Sequence, residues 1–226
     1  DYKIIIDGKE IAFISEKEPE NLPWKAMNID VVVESTGIFT KYELARKHIT
    51  AGAKRVVISA PAKDDTEIEN EATVLMGIND EKLAVCDVTS NASCTTNAGS
   101  PLMAILDETV GIEKAILNTV HGYTATQSIV DGPSKRDLRS GRAAAQNIIP
   151  TYTGATKAAA IAIPELTVIF NGLAIRVHVP TGSLSDFTML LKIDTTIEEV
   201  NALFEKEAST AAYKGILSVT KDPIVS

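Results

Sequence analysis

Cysteine is the residue in this sequence whose surroundings most favour chemistry, and it occurs only twice, at positions 86 and 94. Cys94 lies in an octet, residues 90–97, in which six of its seven neighbours are polar. A loop is predicted to become a helix there, so free backbone N–H groups and the helix dipole would stabilise a thiolate, an oxyanion or a phosphate. Cys86 lies in an apolar stretch and fits a small buried side chain. We therefore predict Cys94 as a nucleophile.

A nucleophilic cysteine needs a base, and the sequence has three histidines. His121 follows a predicted strand and enters a Gly-Tyr-Thr turn, and loops at such places commonly carry function. An imidazole near Cys94 would pair with the thiolate and exchange a proton with a substrate. His48 and His178 lie inside a predicted helix and a predicted strand, and a structural role is favoured for both.

Hydroxyl groups and arginine form a second group of candidates, because anionic ligands bind arginine, hydroxyls and backbone N–H groups. Thr124 lies in a turn, and Thr153 and Gly154 begin a predicted helix. Arg176 lies in an otherwise apolar strand, where a guanidinium is costly to bury without a partner. We therefore expect a ligand or a carboxylate beside Arg176.

The elements that would position these residues begin with a hairpin at residues 4–14, which turns at Asp7 and Gly8. Residues 30–34 form a continuous β-branched run, which is typical of a parallel strand buried on both faces. A helix opened by a Thr40–Glu43 capping box follows, and then a strand at 55–59. This β-α-β unit indicates a doubly wound sheet whose ligands bind at the carboxyl ends of its strands. Short strands are predicted at 73–76 and 83–86.

A second region begins near residue 93 with a helix that extends to about residue 109. A strand follows at 114–121, then a long polar loop at 122–142, and then an Ala-rich helix at 154–163. Further strands are predicted at 173–179 and 184–193. Thr195 and Glu198 are expected to cap a final helix.

Composition excludes several classes of function. The 226 residues carry 22 Lys plus Arg and 30 Asp plus Glu, a net charge of −8, which argues against nucleic acid or an anionic membrane as the main partner. No apolar run approaches the ~18 residues that span a bilayer. Two cysteines do not make a disulfide framework, so a reducing, cytoplasmic location is expected. No metal site is predicted.

The octet around Cys94 resembles the active-site signature of phosphorylating glyceraldehyde-3-phosphate dehydrogenases. The resemblance extends through nearly the whole chain, and several independent motifs in the same order make coincidence negligible. Those motifs lie at residues 34–39, 57–61, 119–127, 130–133, 142–150, 153–155 and 164–166.

The resemblance implies a role for each candidate residue. Cys94 would be the nucleophile and His121 its activator. A further group would bind the substrate phosphate and the attacking inorganic phosphate: Ser93, Thr95, Thr124, Thr153, Gly154 and Arg176. Three residues would contact the dinucleotide: Thr36, Phe39 and Ser59.

The resemblance also implies an α/β fold with two domains. Residues 1–92 would form the C-terminal part of an NAD-binding domain, a partial Rossmann-type doubly wound sheet. Residues 93–226 would form most of an α+β catalytic domain with a mixed sheet, whose C-terminal end is missing. The loop at 122–142 resembles the family's S-shaped loop, which packs between the subunits of a homotetramer.

The implied reaction is the NAD-dependent oxidation of glyceraldehyde 3-phosphate, with inorganic phosphate, to 1,3-bisphosphoglycerate in glycolysis and gluconeogenesis. It would proceed through a thioester on Cys94. Two alternatives stay open, namely an erythrose-4-phosphate dehydrogenase and a non-catalytic piece of the enzyme that does not bind NAD.

Two departures from the family pattern support the second alternative. No G-x-G-x-x-G sequence occurs, and the acidic residue that would help to separate NAD from NADP is also missing, so NADP stays open as the cofactor. The chain also lacks an initiator Met and begins in an apolar run. These features favour the expectation that the sequence is part of a longer enzyme.

Overall fold

The computed structural model describes residues 2–64, 69–135, 137–164 and 167–225. Glu165 and Leu166, which belong to the last motif above, lie outside the described residues. The chain forms two compact units, the first from residues 1–73 and 81–91 and the second from residues 74–80 and 92–226. The assignment of residues 1–92 and 93–226 to a cofactor domain and a catalytic domain stays a prediction.

The first unit opens with the predicted hairpin, in which strand β1 (Tyr2–Ile6) pairs with strand β2 (Lys9–Phe13) in antiparallel fashion. The turn has positive φ at both central residues, 49° at Asp7 and 75° at Gly8. Asp-Gly tolerates these angles, and they match the twist of the two strands. The hairpin prediction is confirmed.

A parallel sheet forms the core of the first unit. Its strands lie in the order β3-β4-β6-β5, and every neighbouring pair is parallel. The four strands are β3 (Val31–Glu34), β4 (Arg55–Ile58), β5 (Glu71–Thr73) and β6 (Val88–Ser90). The buried side chains of Val56, Ile58 and Val88 pack with Tyr42 and Ala45 from the helical segment that follows β3.

The helical segment after β3 differs from the prediction. It is divided into two short helices, α1 (Tyr42–Ala45) and α2 (Lys47–Thr50). The expected Thr40–Glu43 capping box is wrong, because Lys41 is the N-cap residue and makes no side-chain cap bond. The backbone N–H of Tyr42 instead donates to Asp64 Oδ2 over 2.8 Å, so a distant carboxylate takes the place of a local cap.

The two short strands predicted next are displaced along the chain. Strand β5 begins two residues earlier than expected, at Glu71, and the apolar run at 83–86 is not a strand. Residues Asp80–Ala84 form a 3₁₀ helix instead. The guanidinium of Arg55 donates to the carbonyl oxygens of Leu83 and Cys86, which occupies groups that a strand would use for pairing.

The second unit is built on a mixed sheet with strand order β10-β7-β9-β8. Strands β7 and β9 are parallel, and the two outer pairs are antiparallel. The strands are β7 (Ile112–Gly122), β8 (Ile149–Thr151), β9 (Phe170–Val177) and β10 (Ser183–Leu191). With a parallel sheet in one unit and a mixed sheet in the other, the predicted α/β fold class is confirmed.

Three helices accompany this sheet: α3 (Cys94–Thr109), α4 (Ala155–Ala162) and α5 (Ile197–Glu207). The core joins Met103 and Leu106 of α3 to Ala159 of α4 and to Leu117 and Phe170 of the strands. This packing fixes the start of α3 relative to the sheet. Short 3₁₀ helices occur at Pro19–Asn21 and Arg139–Gly141.

The cap of α5 lies one residue later than predicted. Thr196, not Thr195, is the N-cap residue, and its Oγ1 accepts a hydrogen bond from the backbone N–H of Glu199 over 3.2 Å. The Glu199 carboxylate accepts the backbone N–H of Thr196 in return, over 2.9 Å, and completes a capping box. The predicted motif therefore exists, but it involves Thr196 and Glu199 instead of Thr195 and Glu198.

Candidate active site

Cys94 is the first residue of α3, and its side chain is exposed. Ser93 is the N-cap residue, and its Oγ accepts a hydrogen bond from the backbone N–H of Thr96 over 3.1 Å. The residue before it, Ala92, is buried and has a φ of 57°, in the left-handed region that non-glycine residues rarely adopt. The chain thus turns sharply just before the cysteine, which lies in the first turn of the helix, where backbone N–H groups have no partner within the helix.

His121 lies near the end of β7, and its Nε2 is 3.4 Å from Cys94 Sγ. The other ring nitrogen, Nδ1, is 2.7 Å from the carbonyl oxygen of Gly122. Because a carbonyl oxygen only accepts hydrogen bonds, Nδ1 carries a proton and Nε2 of the neutral ring has a lone pair facing the sulfur. The imidazole is therefore oriented to take the thiol proton. The structure brings the predicted nucleophile and its predicted base into contact.

Arg176 lies opposite His121 in the parallel pairing of β7 with β9. Its Nη1 donates to the same carbonyl oxygen, that of Gly122, over 3.3 Å. Burial lowers the pKa of the Arg176 guanidinium, and the negative charge of Cys94 opposes this shift. A guanidinium stays protonated under these conditions. Arg176 therefore places a positive charge close enough to Cys94 to interact with it.

One atom of Arg176 lacks a hydrogen-bond partner in the described part of the chain. Its Nε is buried and has no hydrogen-bond partner among the described residues. A buried donor without a partner costs about 1–3 kcal/mol. An anionic ligand beside the guanidinium would remove that cost, which agrees with the prediction of a phosphate-type ligand.

The hydroxyl candidates fall into two groups. Thr95 is buried, and its Oγ1 is 4.0 Å from Cys94 Sγ, so it lies beside the nucleophile, as Ser93 does. Thr124 bonds within its own turn, where its backbone N–H donates to Gln127 Oε1 over 3.0 Å. Its role in binding substrate stays a prediction.

The pair at the start of α4 also bonds locally. Thr153 Oγ1 accepts a hydrogen bond from the backbone N–H of Ala155 over 3.1 Å. Gly154 is the N-cap residue of α4, and a Cβ placed on it would meet nothing within 4 Å. The backbone at Gly154 is thus open to an approaching group, and the substrate-binding role of both residues stays a prediction.

The three predicted cofactor residues lie in the first unit, where two parallel strands end. Thr36 and Phe39 follow β3, and Ser59 follows β4. The backbone N–H of Ser59 donates to the carbonyl oxygen of Glu34 over 2.9 Å, which extends the pairing of the two strands by one step. Thr36 and Ser59 are exposed, and Phe39 is half-buried.

A buried polar network supports this end of β3, and the sequence did not predict it. The indole N–H of Trp24 donates to His48 Nδ1 over 3.0 Å, and His48 Nε2 is 2.9 Å from Glu34 Oε2. Glu34 Oε1 accepts the backbone N–H of Thr36 over 2.8 Å. These residues and β3 line a cavity of about 420 Å³. The only sequence signals were a histidine in a helix and a carboxylate at the end of an apolar strand.

The residues at the strand ends fit part of a dinucleotide. Ligands of doubly wound sheets bind at the carboxyl ends of parallel strands, and exposed hydroxyls and an aromatic ring suit a ribose and a base. A glycine-rich turn for the diphosphate does not occur in the sequence. Contact of Thr36, Phe39 and Ser59 with the dinucleotide stays a prediction.

No group of three or more His, Cys, Asp or Glu side chains within the described ranges could hold a metal ion. In the same part of the chain, every helix is too short or too polar to cross a membrane.

Comparison with protein families gives two matches. Residues 93–226 match the family described as glyceraldehyde 3-phosphate dehydrogenase, C-terminal domain. Residues 1–42 match the family described as glyceraldehyde 3-phosphate dehydrogenase, NAD binding domain. The second match supports NAD as the cofactor of the first unit.

Curated relatives agree with these matches. The chain is 51% identical over 225 residues to a glyceraldehyde-3-phosphate dehydrogenase of Streptomyces coelicolor, which covers 99% of this chain and 65% of the relative. It is 48% identical to that of Geobacillus stearothermophilus, with the same coverage, and 47% identical to that of Borreliella burgdorferi, where 68% of the relative is covered. The chain thus spans about two thirds of the length of these relatives.

Proposed function

Because the chain belongs to the glyceraldehyde-3-phosphate dehydrogenase family, we propose that it oxidises glyceraldehyde 3-phosphate with NAD and inorganic phosphate and forms 1,3-bisphosphoglycerate. The observation that carries the proposal is the distance of 3.4 Å between Cys94 Sγ and His121 Nε2 at the start of α3. A thiol beside a correctly oriented imidazole is the arrangement that covalent catalysis by cysteine needs. NADP stays open as an alternative cofactor.

The first step is addition of the sulfur to the substrate. His121 Nε2 takes the proton of the Cys94 thiol, and the thiolate attacks the aldehyde carbon. The His121 imidazolium then returns this proton to the carbonyl oxygen, which gives a hemithioacetal and a neutral His121. The N–H groups at the start of α3 lie where they can stabilise the negative charge that develops on the carbonyl oxygen.

Oxidation of the hemithioacetal gives a thioester. His121 accepts the hydroxyl proton of the hemithioacetal and so acts as the general base. NAD, when bound, supplies the acceptor for the hydride that leaves the same carbon. Thr36, Phe39 and Ser59 would hold the cofactor from the first unit. The Cys94 thioester retains the free energy of the oxidation.

Transfer of the acyl group to phosphate completes the cycle. An oxygen of inorganic phosphate attacks the thioester carbon, and the Cys94 thiolate leaves as the acyl phosphate forms. Arg176 supplies the positive charge for this dianion and for the phosphate of the substrate. Hydroxyl and backbone groups would complete the two anion sites: Ser93, Thr95, Thr124, Thr153 and Gly154.

The family also supports a wider proposal. We assign the protein to glycolysis and gluconeogenesis in the cytoplasm, with a homotetramer as its assembly. The loop at residues 122–142 would lie between subunits. The acidic net charge of −8 agrees with a partner that is a small molecule rather than a nucleic acid.

Alkylation with iodoacetamide tests the assignment of Cys94 and His121. Cys94 should react much faster than the buried Cys86 near neutral pH, and peptide mass spectrometry can follow both sites. Since exposure alone would favour Cys94, the informative variant is His121→Asn, which should slow the reaction of Cys94 by at least about tenfold. His178→Asn is the matched control and should leave the rate unchanged. Equal rates in wild type and His121→Asn would contradict the proposal.

A second experiment distinguishes the alternatives. Wild-type protein is mixed with NAD and either glyceraldehyde 3-phosphate or erythrose 4-phosphate, with phosphate left out, and intact mass spectrometry measures acylation of Cys94. Accumulation of the glyceraldehyde-derived thioester supports the proposed reaction. Preference for the four-carbon substrate would support an erythrose-4-phosphate dehydrogenase, and no acylation by either would support a non-catalytic chain.

A further inference from the structure

We propose that His48 and Glu34 are positioning residues, which hold the segment at residues 35–39 in the conformation that receives the cofactor. The inference rests on the proposed function, in which Thr36 and Phe39 of this segment contact the dinucleotide. Neither His48 nor Glu34 would touch the ligand. Each would act through a residue that does.

The first link is a directed chain of hydrogen bonds. Trp24 has only an N–H to donate, so His48 Nδ1 must be the acceptor and Nε2 must carry the proton. His48 Nε2–H then donates to Glu34 Oε2 over 2.9 Å. Glu34 Oε1 in turn accepts the backbone N–H of Thr36 over 2.8 Å, and the Thr36 hydroxyl donates to the same oxygen.

The chain continues into the exposed segment. Thr36 Oγ1 accepts the backbone N–H of Ile38 over 3.1 Å. The hydroxyl of Thr36 is therefore held from both sides, by Glu34 behind it and by Ile38 ahead of it. A side chain on the protein surface is thus connected, bond by bond, to a histidine that is only 5% exposed.

The second link is a ring contact. The phenyl ring of Phe39 lies edge-on to the imidazole of His48, with ring centroids 6.5 Å apart and an interplanar angle of 79°. Such edge-to-face pairs are favourable and have a defined geometry. His48 therefore contacts one predicted cofactor residue directly and reaches the other through Glu34.

The chemistry of the network explains why these residue types are needed. Every donor in this series of hydrogen bonds has one acceptor. At position 34, only a carboxylate can accept from His48 and Thr36 at once. A glutamine at position 34 would place an N–H group against one of these donors. A glutamine at position 48, in contrast, has an acceptor oxygen and a donor NH₂ group, so it can accept from Trp24 and donate to Glu34 as the imidazole does.

If these residues only stabilised the fold, apolar side chains would do so at a lower cost of burial. Glu34 is 3% exposed, and burial of a carboxylate is costly even when it is fully hydrogen-bonded. Replacing such buried polar groups with hydrophobic residues is often neutral or stabilising, whereas a directed network fixes one conformation. The conformation fixed here is that of the segment proposed to receive the cofactor.

Backbone hydrogen exchange tests the inference in the full 226-residue chain. In His48→Leu, the N–H groups of Thr36 and Ile38 should exchange about tenfold faster than in wild type, because their acceptors are no longer held. His48→Gln should restore exchange to within about threefold. His178→Leu, which removes an exposed histidine elsewhere, is the control and should have no effect.

The affinity for NAD is the second measurement. Calorimetry should show a dissociation constant for NAD about tenfold higher in His48→Leu, which corresponds to the loss of about one hydrogen bond. The dissociation constant of His48→Gln should be close to that of wild type. Equal NAD affinity in wild type and His48→Leu would overturn the positioning role. Equal acceleration of exchange in β4 would also overturn it, since that result would mean that the whole unit is destabilised. No binding of NAD by wild type would overturn the proposed cofactor, and the exchange data would still decide whether His48 holds the segment.

Discussion

Removal of the Ser93 hydroxyl should loosen the helix that carries Cys94. Ser93 Oγ accepts the backbone N–H of Thr96 over 3.1 Å and lies 2.7 Å from Thr96 Oγ1. Two substitutions separate the cap from the hydroxyl chemistry of the site. Ser93→Ala and Ser93→Gly both remove the hydroxyl, but glycine is a far better N-cap residue than alanine.

The environment of Thr96 sets the expected magnitude. Replacing serine by alanine at an N-cap costs about 0.5–2 kcal/mol, and glycine costs only about a few tenths. Thr96 is 1% exposed, so its N–H and hydroxyl have little access to water once Ser93 Oγ is gone. We therefore expect Ser93→Ala to cost about 2 kcal/mol of stability, near the upper end of that range, because the buried N–H and hydroxyl of Thr96 would lose Ser93 Oγ as their partner.

Hydrogen exchange in α3 measures this difference. A loss of about 2 kcal/mol corresponds to about 30-fold faster exchange of the N–H groups in α3 in Ser93→Ala. Ser93→Gly loses the same partner of Thr96 but is the better N-cap residue, so its exchange should lie between that of Ser93→Ala and that of wild type. Trp24 is the sole tryptophan and belongs to the first unit. Its fluorescence midpoint in urea therefore reports on that unit and should be the same in all three proteins.

Two results would refute this reasoning. Equal exchange rates in Ser93→Ala and wild type would mean that the cap bond does not stabilise α3. A shift in the Trp24 midpoint as large as the change in α3 would mean that the substitution acts on the whole chain. Because both variants lack the hydroxyl, any defect that they share in substrate binding reports the hydroxyl rather than the cap.

Two other substitutions probe the second unit. Burial, followed by the charges of Glu108 and Glu207, raises the pKa of Tyr213 in the folded protein. The tyrosine hydroxyl therefore stabilises the fold fully at pH values below its unfolded pKa of about 10, and this stabilisation is lost as the pH rises toward its folded pKa. Tyr213→Phe should flatten the fall in urea midpoint between about pH 9 and pH 11. A Cβ at Gly99 would lie 2.8 Å from Phe187 Cζ. Gly99→Ala should therefore destabilise the second unit by up to about 2 kcal/mol, although alanine has the better helix propensity. Adding Phe187→Leu should relieve most of that cost in the double variant. An unchanged alkaline slope in Tyr213→Phe, or a stabilised Gly99→Ala, would contradict these expectations.

The site residues that the sequence singled out are those whose environment is set by residues close to them in sequence. Cys94 was predicted from the polar octet around it, and Ser93 is its cap because the backbone changes from loop to helix at that residue. His121 was predicted because it ends a strand. Local pattern was sufficient to single out Cys94 and His121, since the neighbours that define the environment lie within a few residues in sequence, and their catalytic roles stay predictions.

Local pattern failed where a distant group competes with a near one. Thr40 has the sequence of an N-cap, but Asp64 reaches the backbone N–H of Tyr42 and takes that role. The choice between Thr195 and Thr196 has a different origin, because adjacent threonines have equal propensity and the local geometry of the chain entering α5 selects one. The first outcome depends on a tertiary contact and the second on backbone geometry, and spacing in the sequence encodes neither.

Arg176 and His48 mark the limit of prediction for the two units. The cost of burying a guanidinium indicated that Arg176 has a partner. The partner is the carbonyl oxygen of Gly122, which is 54 residues away in sequence. Arg176 reaches it only because β7 and β9 pair in one register. A shift of that register by one residue would turn Arg176 to the other face of the sheet and away from Cys94. His48 likewise lies 14 and 24 residues from the partners of its hydrogen bonds, so its helix position alone favoured a structural role. Residue chemistry can therefore show that a buried polar group needs a partner, whereas strand register and helix packing decide which partner it meets and which function the pair can serve.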